Sequence, residues 1–424
     1  PVVLVVPEPG KGKVLAVQTS RAGGSRLGPT RWLGSRRLLA DAPGVRAEGL
    51  VGGVRYWDGQ FDDARLAVAL ARTAHREGAC VVNRCRVTGL LDGQTDSARR
   101  RVRGVVAEDR ETGRVYEIEA RCVVNATGVW VDAVRRLDDP GAGAVVAASQ
   151  GAHVVVDREF FPSSQALLVP ATADGRVLFA VPWMGKVILG TTDTPRSDLP
   201  LEPRPLAAEV DFILREAARY LARPPGRGDI RSAWAGLRPL VRPRDRPAFE
   251  TKRLSREHVV MVSEHGLVTV TGGKWTTYRA MAEDVLATAF RHDLLPARPA
   301  GATRRLRLVG APRTPACGSS LCDPPGLHLY GTEAGVVASL PGAARDVLPG
   351  LTEAMVRFAV RNEYARTVED VLARRSRALF LDARAAAAAA DDVAGIMREE
   401  IGPDFPAAAS AAAFRDVALA HLPD

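Results

Sequence analysis

The strongest candidate for a chemical site is a run in which a strand passes through two glycines into a helix, Thr269-Val-Thr-Gly-Gly-Lys-Trp-Thr-Thr-Tyr-Arg279. Glycine lets another group approach the backbone closely, and free N–H groups at a helix N-terminus favour negative charge. Such a turn can bind a phosphate or stabilise a ligand that becomes anionic, with Lys274 adding positive charge and Thr276 and Thr277 able to cap the helix. The alternative is an ordinary strand-to-helix turn with a capping threonine.

A second candidate is Asn125-Ala-Thr-Gly128, where an apolar strand ends in small residues. Small residues at the carboxyl edge of a sheet permit close contact with a ligand, although a tight turn explains them equally well. The segment Gly141-Ala-Gly-Ala-Val-Val-Ala147 also fits the dinucleotide pattern G-x-G-x-x-A. Because it follows a polar loop instead of a strand, we assign it no nucleotide-binding role.

Two ionisable residues lie in runs of β-type sequence. His153, in Gln150-Gly-Ala-His-Val-Val-Val156, is either a structural histidine or a general base that titrates near neutral pH. Arg238, in Trp234-Ala-Gly-Leu-Arg-Pro-Leu240, is either ion-paired in the core or directed at an anionic ligand. The intervening run 181–193 is typical of a hairpin, and its polar end, Thr191-Thr192-Asp193, either faces a site or only forms a turn.

Composition narrows the class of protein. With 46% hydrophobic and 25% charged residues, the 424-residue chain has the balance of a folded globular protein. Five cysteines are too few for a disulfide scaffold, and Cys317 and Cys322 lack further ligands at metal-binding spacing. No apolar run of about 18 residues predicts a transmembrane helix. The net charge of +9 indicates a solvated basic surface or attraction to anionic substrates or lipid headgroups, and no nucleic-acid-binding motif accompanies it.

The elements that must position these residues form a mixed α/β body and a helical tail. Strand–turn–helix units are mixed with meander strands up to residue 293, which indicates two interleaved subdomains. We predict, among others, strands at Cys80–Val82 and across Val259–Thr271, a helix opening at Asp62-Asp63, and a second helix starting at Lys274.

Beyond Gly326 the sequence has only helical periodicity, which predicts an all-α tail with helices at 333–340, 353–364, 368–374, 383–401 and 407–422. We expect Arg374, Arg375 and Arg377 in this tail to lie on a solvated helix face; contact with acidic lipid or a partner subunit is the alternative.

Taken together, these segments resemble the FAD-dependent glycerol-3-phosphate dehydrogenases of the respiratory, quinone-linked kind. The resemblance covers nearly all of the chain in the family's order. It is carried by Tyr56-Trp-Asp-Gly-Gln-Phe-Asp-Asp-Ala-Arg65, Val124-Asn-Ala-Thr-Gly128, Gly151-Ala-His-Val-Val-Val156, Val181-Pro-Trp183, Ile188-Leu-Gly-Thr-Thr-Asp193, Gly236-Leu-Arg-Pro-Leu240, Gly272-Gly-Lys-Trp-Thr-Thr-Tyr-Arg279, Leu329-Tyr-Gly-Thr-Glu-Ala334, Arg361-Asn-Glu-Tyr-Ala-Arg-Thr-Val-Glu-Asp370 and Arg374-Arg-Ser-Arg-Ala-Leu-Phe-Leu-Asp382.

The resemblance implies the glutathione-reductase-like or D-amino-acid-oxidase-like fold, with interleaved FAD and substrate subdomains and an all-α C-terminal domain. The implied segments are 1–57 (N-terminal remnant and substrate-domain strands), 58–148 (part of the FAD domain), 149–245 (substrate or cap domain), 246–293 (return of the FAD domain), 294–325 (linker) and 326–424 (helical C-terminal domain).

The resemblance also implies a reaction, in which sn-glycerol 3-phosphate becomes dihydroxyacetone phosphate as hydride passes from C2 to FAD and electrons then pass to a membrane quinone. The implied cofactor contacts are Thr127, Gly128, Gly272, Gly273, Lys274, Trp275 and Thr276. The implied catalytic residues are His153, Arg238 and Lys274, and the implied substrate contacts are Arg238, Lys274, Thr192 and Tyr278. The resemblance implies peripheral attachment to the cytoplasmic face of the inner membrane, and a homodimer. It implies neither a nucleic-acid partner nor a metal.

One departure from the family is large. The family begins with a βαβ unit that carries G-x-G-x-x-G and binds the ADP half of FAD. This sequence has no such unit, and by comparison with the family we expect about 100 residues to be absent from the front. We therefore expect a truncated chain that binds FAD poorly. Two alternatives follow: a non-catalytic module that packs against another subunit, or an oxidase that passes electrons to oxygen.

Overall fold

The computed structural model describes residues 2–5, 29–94, 100–170, 172, 177–242, 257–313 and 320–423. Val6, Cys317 and residues 246–256 of the predicted FAD-domain return lie outside the described residues.

Strands dominate the body. The elements before residue 140 are β1 (Val2–Val5), β2 (Arg31–Gly34), α1 (Ser35–Asp41), β3 (Gly52–Trp57), α2 (Asp63–Arg76), β4 (Cys85–Gln94), β5 (Arg100–Asp109), β6 (Val115–Glu119), β7 (Val124–Asn125) and α3 (Val131–Asp138). Those that follow are β8 (Val146–Asp157), β9 (Ala166–Val169), β10 (Leu178–Trp183), β11 (Lys186–Gly190), β12 (Thr194–Arg196), α4 (Ala207–Tyr220), β13 (Ser232–Val241), β14 (His258–Val262), β15 (Val268–Gly272) and α5 (Tyr278–Arg291).

The tail contains α6 (Ala334–Ala338), β16 (Asp346–Leu348), β17 (Leu351–Thr352), α7 (Glu353–Asn362), α8 (Ala378–Leu381), α9 (Ala383–Ala388), α10 (Ala390–Ile401) and α11 (Ala407–Leu419), and one π-helical turn at Asp370–Arg375. The predicted helical regions are confirmed, and the β16–β17 hairpin is a feature that the helical periodicity did not predict.

One large sheet joins strands that are distant in the sequence. Its order is β12-β8-β11-β10-β9-β1-β3-β2, and β13 pairs with the long strand β8. Along β8, residues alternate between a face that packs with α4, where Ala152, Val154 and Val156 are buried, and the opposite face, which carries His153. This alternation is the period of two that a strand imposes.

Two smaller sheets complete the body: the antiparallel meander β4-β5-β6 and the set β14-β15-β7. In the second, β15 runs parallel to β7, with Val268 opposite Val124 and Thr269 opposite Asn125. Because parallel strands end on the same side of a sheet, the two small-residue turns of the sequence analysis are neighbours.

Three predicted boundaries are wrong. Residues 79–84 form no strand, because the chain turns at Gly78 to close α2 and leaves Val82 65% exposed. The run Val259–Thr271 is two strands, β14 and β15, separated by a turn in which Gly266 has φ +86°. The helix expected at Lys274 begins at Tyr278, after one 3₁₀ turn at Trp275–Thr277.

The tail is held to the body by ion pairs. Arg65 and Arg72 of α2 contact Glu363 and Glu333 of the tail at 2.7 and 2.6 Å. Buried arginine–carboxylate pairs of this kind depend on both partners being present. Within the described residues, no helix has both the length and the hydrophobicity needed to cross a membrane.

The expectation for the tail arginines is wrong. The three arginines form ion pairs within this chain. Arg374 pairs with Glu202 and Glu369, Arg375 with Asp370, and Arg377 with Asp63. Arg374 and Arg377 therefore link the tail to the body, whereas Arg375 pairs within the tail.

Candidate functional site

His153 and Arg238 lie on one face of the large sheet. In the antiparallel register of β8 with β13, Trp234 is opposite His153, Gly236 is opposite Gly151, and Arg238 is opposite Ser149. Since every second residue of a strand points to the same side, the imidazole and the guanidinium project from the same face.

Two glycines let these side chains lie flat on the sheet. A Cβ at Gly190 would overlap the imidazole of His153, and a Cβ at Gly151 would overlap the guanidinium of Arg238. Only glycine fits at both positions, because a polar side chain lies directly against the backbone there. The arrangement places an imidazole and a guanidinium on one face of the sheet, each over a glycine.

Stacking, and not a hydrogen bond at Nδ1, holds the ring of His153 within the described part of the chain. Its Nδ1 atom is buried and unpartnered among the described residues, and the ring stacks on Trp234 with centroids 5.6 Å apart. Burial, helped by the nearby charge of Arg238, lowers the pKa of His153 to about 4. The imidazole is therefore neutral at physiological pH, which is the state that can accept a proton.

Arg238 is held by the turn that follows β11. Its Nη1 donates to the carbonyl of Thr192 at 3.0 Å, and its Nη2 donates to Thr191 Oγ1 at 2.9 Å. Asp193 lies 3.4 Å from Nη1 and also accepts from Ser149 Oγ. The guanidinium thus has a fixed position beside the sheet, with its side chain 30% exposed.

Thr192 does not face a cavity. It is buried, its hydroxyl accepts from the Ala152 N–H at 2.9 Å, and it donates to Glu209 at 2.7 Å. Both bonding roles of the hydroxyl are filled inside the protein, so the structure argues against direct contact between Thr192 and a substrate. Glu209, which no sequence pattern indicated, accepts hydrogen bonds from the hydroxyls of Thr192 and Thr194 and so holds the turn in place.

A cavity of about 450 Å³ opens over His153. It is lined mainly by aromatic and apolar side chains, among them Trp183, Trp234 and Trp275, with Asp63 and Arg377 as its charged residues. An apolar pocket with a few polar groups is the usual form of a small-molecule site. Asp63 and Arg377 were missed as site residues, because neither lies in a run whose local pattern points to a ligand.

The ends of β7 and β15 form a second, neighbouring site. Gly128, Gly272 and Gly273 all have positive φ, at +63°, +77° and +77°. A Cβ on Gly272 would lie 2.6 Å from Val241 Cγ2, and one on Gly273 would lie 2.6 Å from Met281 Sδ. The backbone of both turns therefore requires glycine.

The first of these turns is organised by Asn125. Its buried side chain donates to the Val131 carbonyl at 2.9 Å and accepts from Thr127 Oγ1 at 2.7 Å. Thr127 itself is exposed at the edge. The predicted site at Asn125–Gly128 is thus a turn in which the asparagine bonds to the backbone on both sides.

The second turn opens onto a pocket of about 580 Å³ lined by Ala126, Gly272, Gly273, Lys274 and Tyr278 with mostly apolar neighbours. Lys274, Trp275 and Thr276 are exposed. Trp275 lines this pocket and also the cavity at His153, so the two sites adjoin. The structure thus brings the predicted cofactor turns together, and Lys274 lines the pocket at these turns.

Comparisons with known proteins agree on the class of protein. The model of the FAD-dependent oxidoreductase family matches residues 5–279, and the C-terminal domain of alpha-glycerophosphate oxidase matches residues 327–405. The mitochondrial glycerol-3-phosphate dehydrogenases of Macaca fascicularis and Homo sapiens are each 38% identical over 407 residues, covering 90% of this chain and 55% of the relative. The chain thus spans about half the length of the curated relatives it matches.

Among solved structures, the glycerol-3-phosphate dehydrogenase from Bacillus halodurans, complexed with FAD, is similar over 100% of this chain and 82% of that protein. The TM-score is 0.79 and the identity is 26%.

Proposed function

This chain belongs to the family of FAD-dependent oxidoreductases, and we propose that it carries the substrate site of an enzyme that oxidises sn-glycerol 3-phosphate to dihydroxyacetone phosphate. The relatives named glycerol-3-phosphate dehydrogenase support this substrate. The tail, matched by the glycerophosphate oxidase domain, supports the same substrate class.

The observation that carries the proposal is the pairing of His153 and Arg238 on one sheet face, each lying over a glycine. A neutral imidazole and a fixed guanidinium are what the oxidation of a phosphorylated alcohol requires: one accepts the hydroxyl proton, and the other offsets the negative charge of the phosphate. A purely structural face would not need glycine at both positions.

FAD is the cofactor of the family. The edge formed by β7 and β15 has groups that suit the flavin end of this cofactor. Thr127, Gly128, Gly272, Gly273, Lys274, Trp275 and Thr276 offer close backbone approach, exposed donors and the start of a helix, which favours negative charge. Bound there, FAD would accept the hydride from C2 of the substrate. Tyr278 and Lys274 line the same pocket.

The acid–base step falls to His153. The unprotonated nitrogen of the neutral ring takes the proton of the C2 hydroxyl as hydride leaves C2, so the alcohol becomes a carbonyl. Trp234, stacked on the ring at 5.6 Å, holds its plane. The aromatic walls of the cavity exclude water from the reacting atoms.

For the electron acceptor we propose a membrane quinone, with peripheral attachment to the inner membrane and a homodimer as further expectations. The family match of the tail to an oxidase domain favours a second candidate, in which oxygen is the acceptor.

The test is product formation by the protein supplied with excess FAD and sn-glycerol 3-phosphate. We expect dihydroxyacetone phosphate with a short-chain quinone as acceptor and little with oxygen. Rapid oxygen consumption would favour the oxidase. Absence of product with either acceptor, from protein that holds flavin, would contradict the proposed function.

A further inference from the structure

The tail contributes a charged residue to the cavity at His153. Arg377 lies between the π-helical turn and α8, and its side chain is only 13% exposed. The guanidinium carbon sits 4.4 Å from the ring centre of Phe380 and 5.5 Å from that of Trp183. Stacking on two aromatic rings fixes the plane of a guanidinium without using its N–H groups.

The polar contacts of Arg377 are long. Its Nη1 is 3.4 Å from the Ala373 carbonyl, and its Nη2 is 3.4 Å from Asp63 Oδ1. Arg65 at the same junction has contacts of 2.7 and 3.0 Å. A guanidinium has five N–H donors, and the Nε of Arg377 is buried without a partner among the described residues. Arg377 is thus held by rings more than by hydrogen bonds.

The charged residues described at the cavity are one enclosed cation and one exposed carboxylate. Among the described lining residues the ionisable ones are Asp63, His153 and Arg377. His153 carries no charge at neutral pH, and Asp63 is 65% exposed, so water solvates its carboxylate. Arg238, on the same sheet face, already donates to Thr191 and Thr192.

We propose that Arg377, supplied by the tail, joins Arg238 in binding the phosphate group of the substrate, from the side of the His153 cavity. The inference rests on the proposed function and extends it, because it makes the tail part of the substrate site. An arginine meets a phosphate with two parallel N–H donors, at shorter range than the contacts it has now. The phosphate would replace Asp63 as the partner of Nη2.

The test is a titration of this chain with sn-glycerol 3-phosphate, followed by tryptophan fluorescence, because Trp183, Trp234 and Trp275 line the cavity. Inorganic phosphate serves as a second probe, and neither measurement needs flavin. We expect saturable binding that Arg377→Gln weakens about tenfold or more and Arg377→Lys weakens less, since an ion pair to phosphate is charge-assisted.

The matched control is Asp63→Asn, which breaks the same ion pair and keeps the cation. We expect it to bind phosphate at least as tightly as wild type. Arg374→Gln, which loses pairs with Glu202 and Glu369 outside the cavity, should leave the affinity unchanged. Thermal unfolding of each variant checks that it is folded.

Equal weakening by Asp63→Asn and Arg377→Gln would overturn the proposal, because the ion pair would then be merely structural. So would affinity unchanged in Arg377→Gln, or wild type that responds to neither probe. Arg377-dependent binding of inorganic phosphate without preference for sn-glycerol 3-phosphate would support the anion site and count against the proposed function instead.

Discussion

Glu363 and His153 are both enclosed ionisable residues, but they differ in whether a polar partner contacts them. Glu363 is fully buried and contacts Arg65 at 2.7 Å, with Arg72 at 3.9 Å. His153 lies at the cavity with a buried Nδ1 that has no partner among the described residues. Unpaired buried polar groups cost stability, so a residue that keeps one is a candidate for binding a ligand. We therefore infer that Glu363 stabilises the junction and that His153 takes part in binding or chemistry.

The largest effect should come from breaking the pair at the junction. Glu363→Gln leaves Arg65 buried without its carboxylate, which costs about 3–5 kcal/mol of unfolding free energy. The measurement is denaturant unfolding.

Glu399→Gln is the control, because Glu399 is 64% exposed and its partner Arg357 keeps Glu353 and Glu400. Its loss should stay below about 1 kcal/mol. Equal losses of unfolding free energy in Glu363→Gln and Glu399→Gln would contradict a special stabilising role for the buried pair at the junction.

At the cavity the expected effect is on turnover. His153→Asn should reduce turnover at least about 100-fold, the usual contribution of a general base, with unfolding temperature nearly unchanged because Nδ1 loses no bond. The exposed His328→Asn is the control. A reduction smaller than about tenfold would mean that His153 is not the base.

The unpaired histidine also predicts a pH dependence. Burial lowers its pKa to about 4 in the folded protein, below the value near 6.5 of an unfolded chain. The unfolded state therefore binds the proton more readily, and stability is lost as the pH falls through this window. Between pH 7 and pH 5 the loss should be about 2 kcal/mol.

Comparison of wild type with His153→Asn isolates this contribution, since the other titrating groups are shared. Identical pH profiles would show that the histidine titrates alike in both states.

The smallest effect should be on substrate affinity. Arg238→Ala should raise KM for sn-glycerol 3-phosphate about tenfold, the loss of one charge-assisted contact. Arg238→Lys keeps the charge and should raise it less. An unchanged KM would assign Arg238 to holding the turn at Thr191 and Thr192 only.

Sequence patterns predicted the strands under the site but could not predict how they pair. Alternation placed His153 and Arg238 on strands, yet their common face depends on the register of β8 with β13, which long-range packing sets. The family resemblance implied Thr192 as a substrate contact, whereas the local pattern left open whether it faces a site or only forms a turn. Its direction is set instead by Ala152 and Glu209.

Local sequence patterns predicted a candidate site where its residues are contiguous in the sequence. Gly272 and Gly273 were identified because a strand, two glycines and a helix form one continuous pattern, and their φ of +77° explains that pattern. Arg377 gave no such signal. It is distant in the sequence from His153, and the packing of the tail on α2 and β13 brings the two to one cavity.

The most direct test of the account is the anaerobic reaction of flavin-loaded protein with sn-glycerol 3-phosphate, followed by the visible flavin absorbance. We predict that the substrate bleaches the flavin band, that one dihydroxyacetone phosphate forms per flavin reduced, and that His153→Asn slows the bleaching at least about 100-fold. Bound flavin that stays oxidised at saturating substrate, or that is reduced equally fast in the variant, would contradict the assignment of this face as the catalytic site.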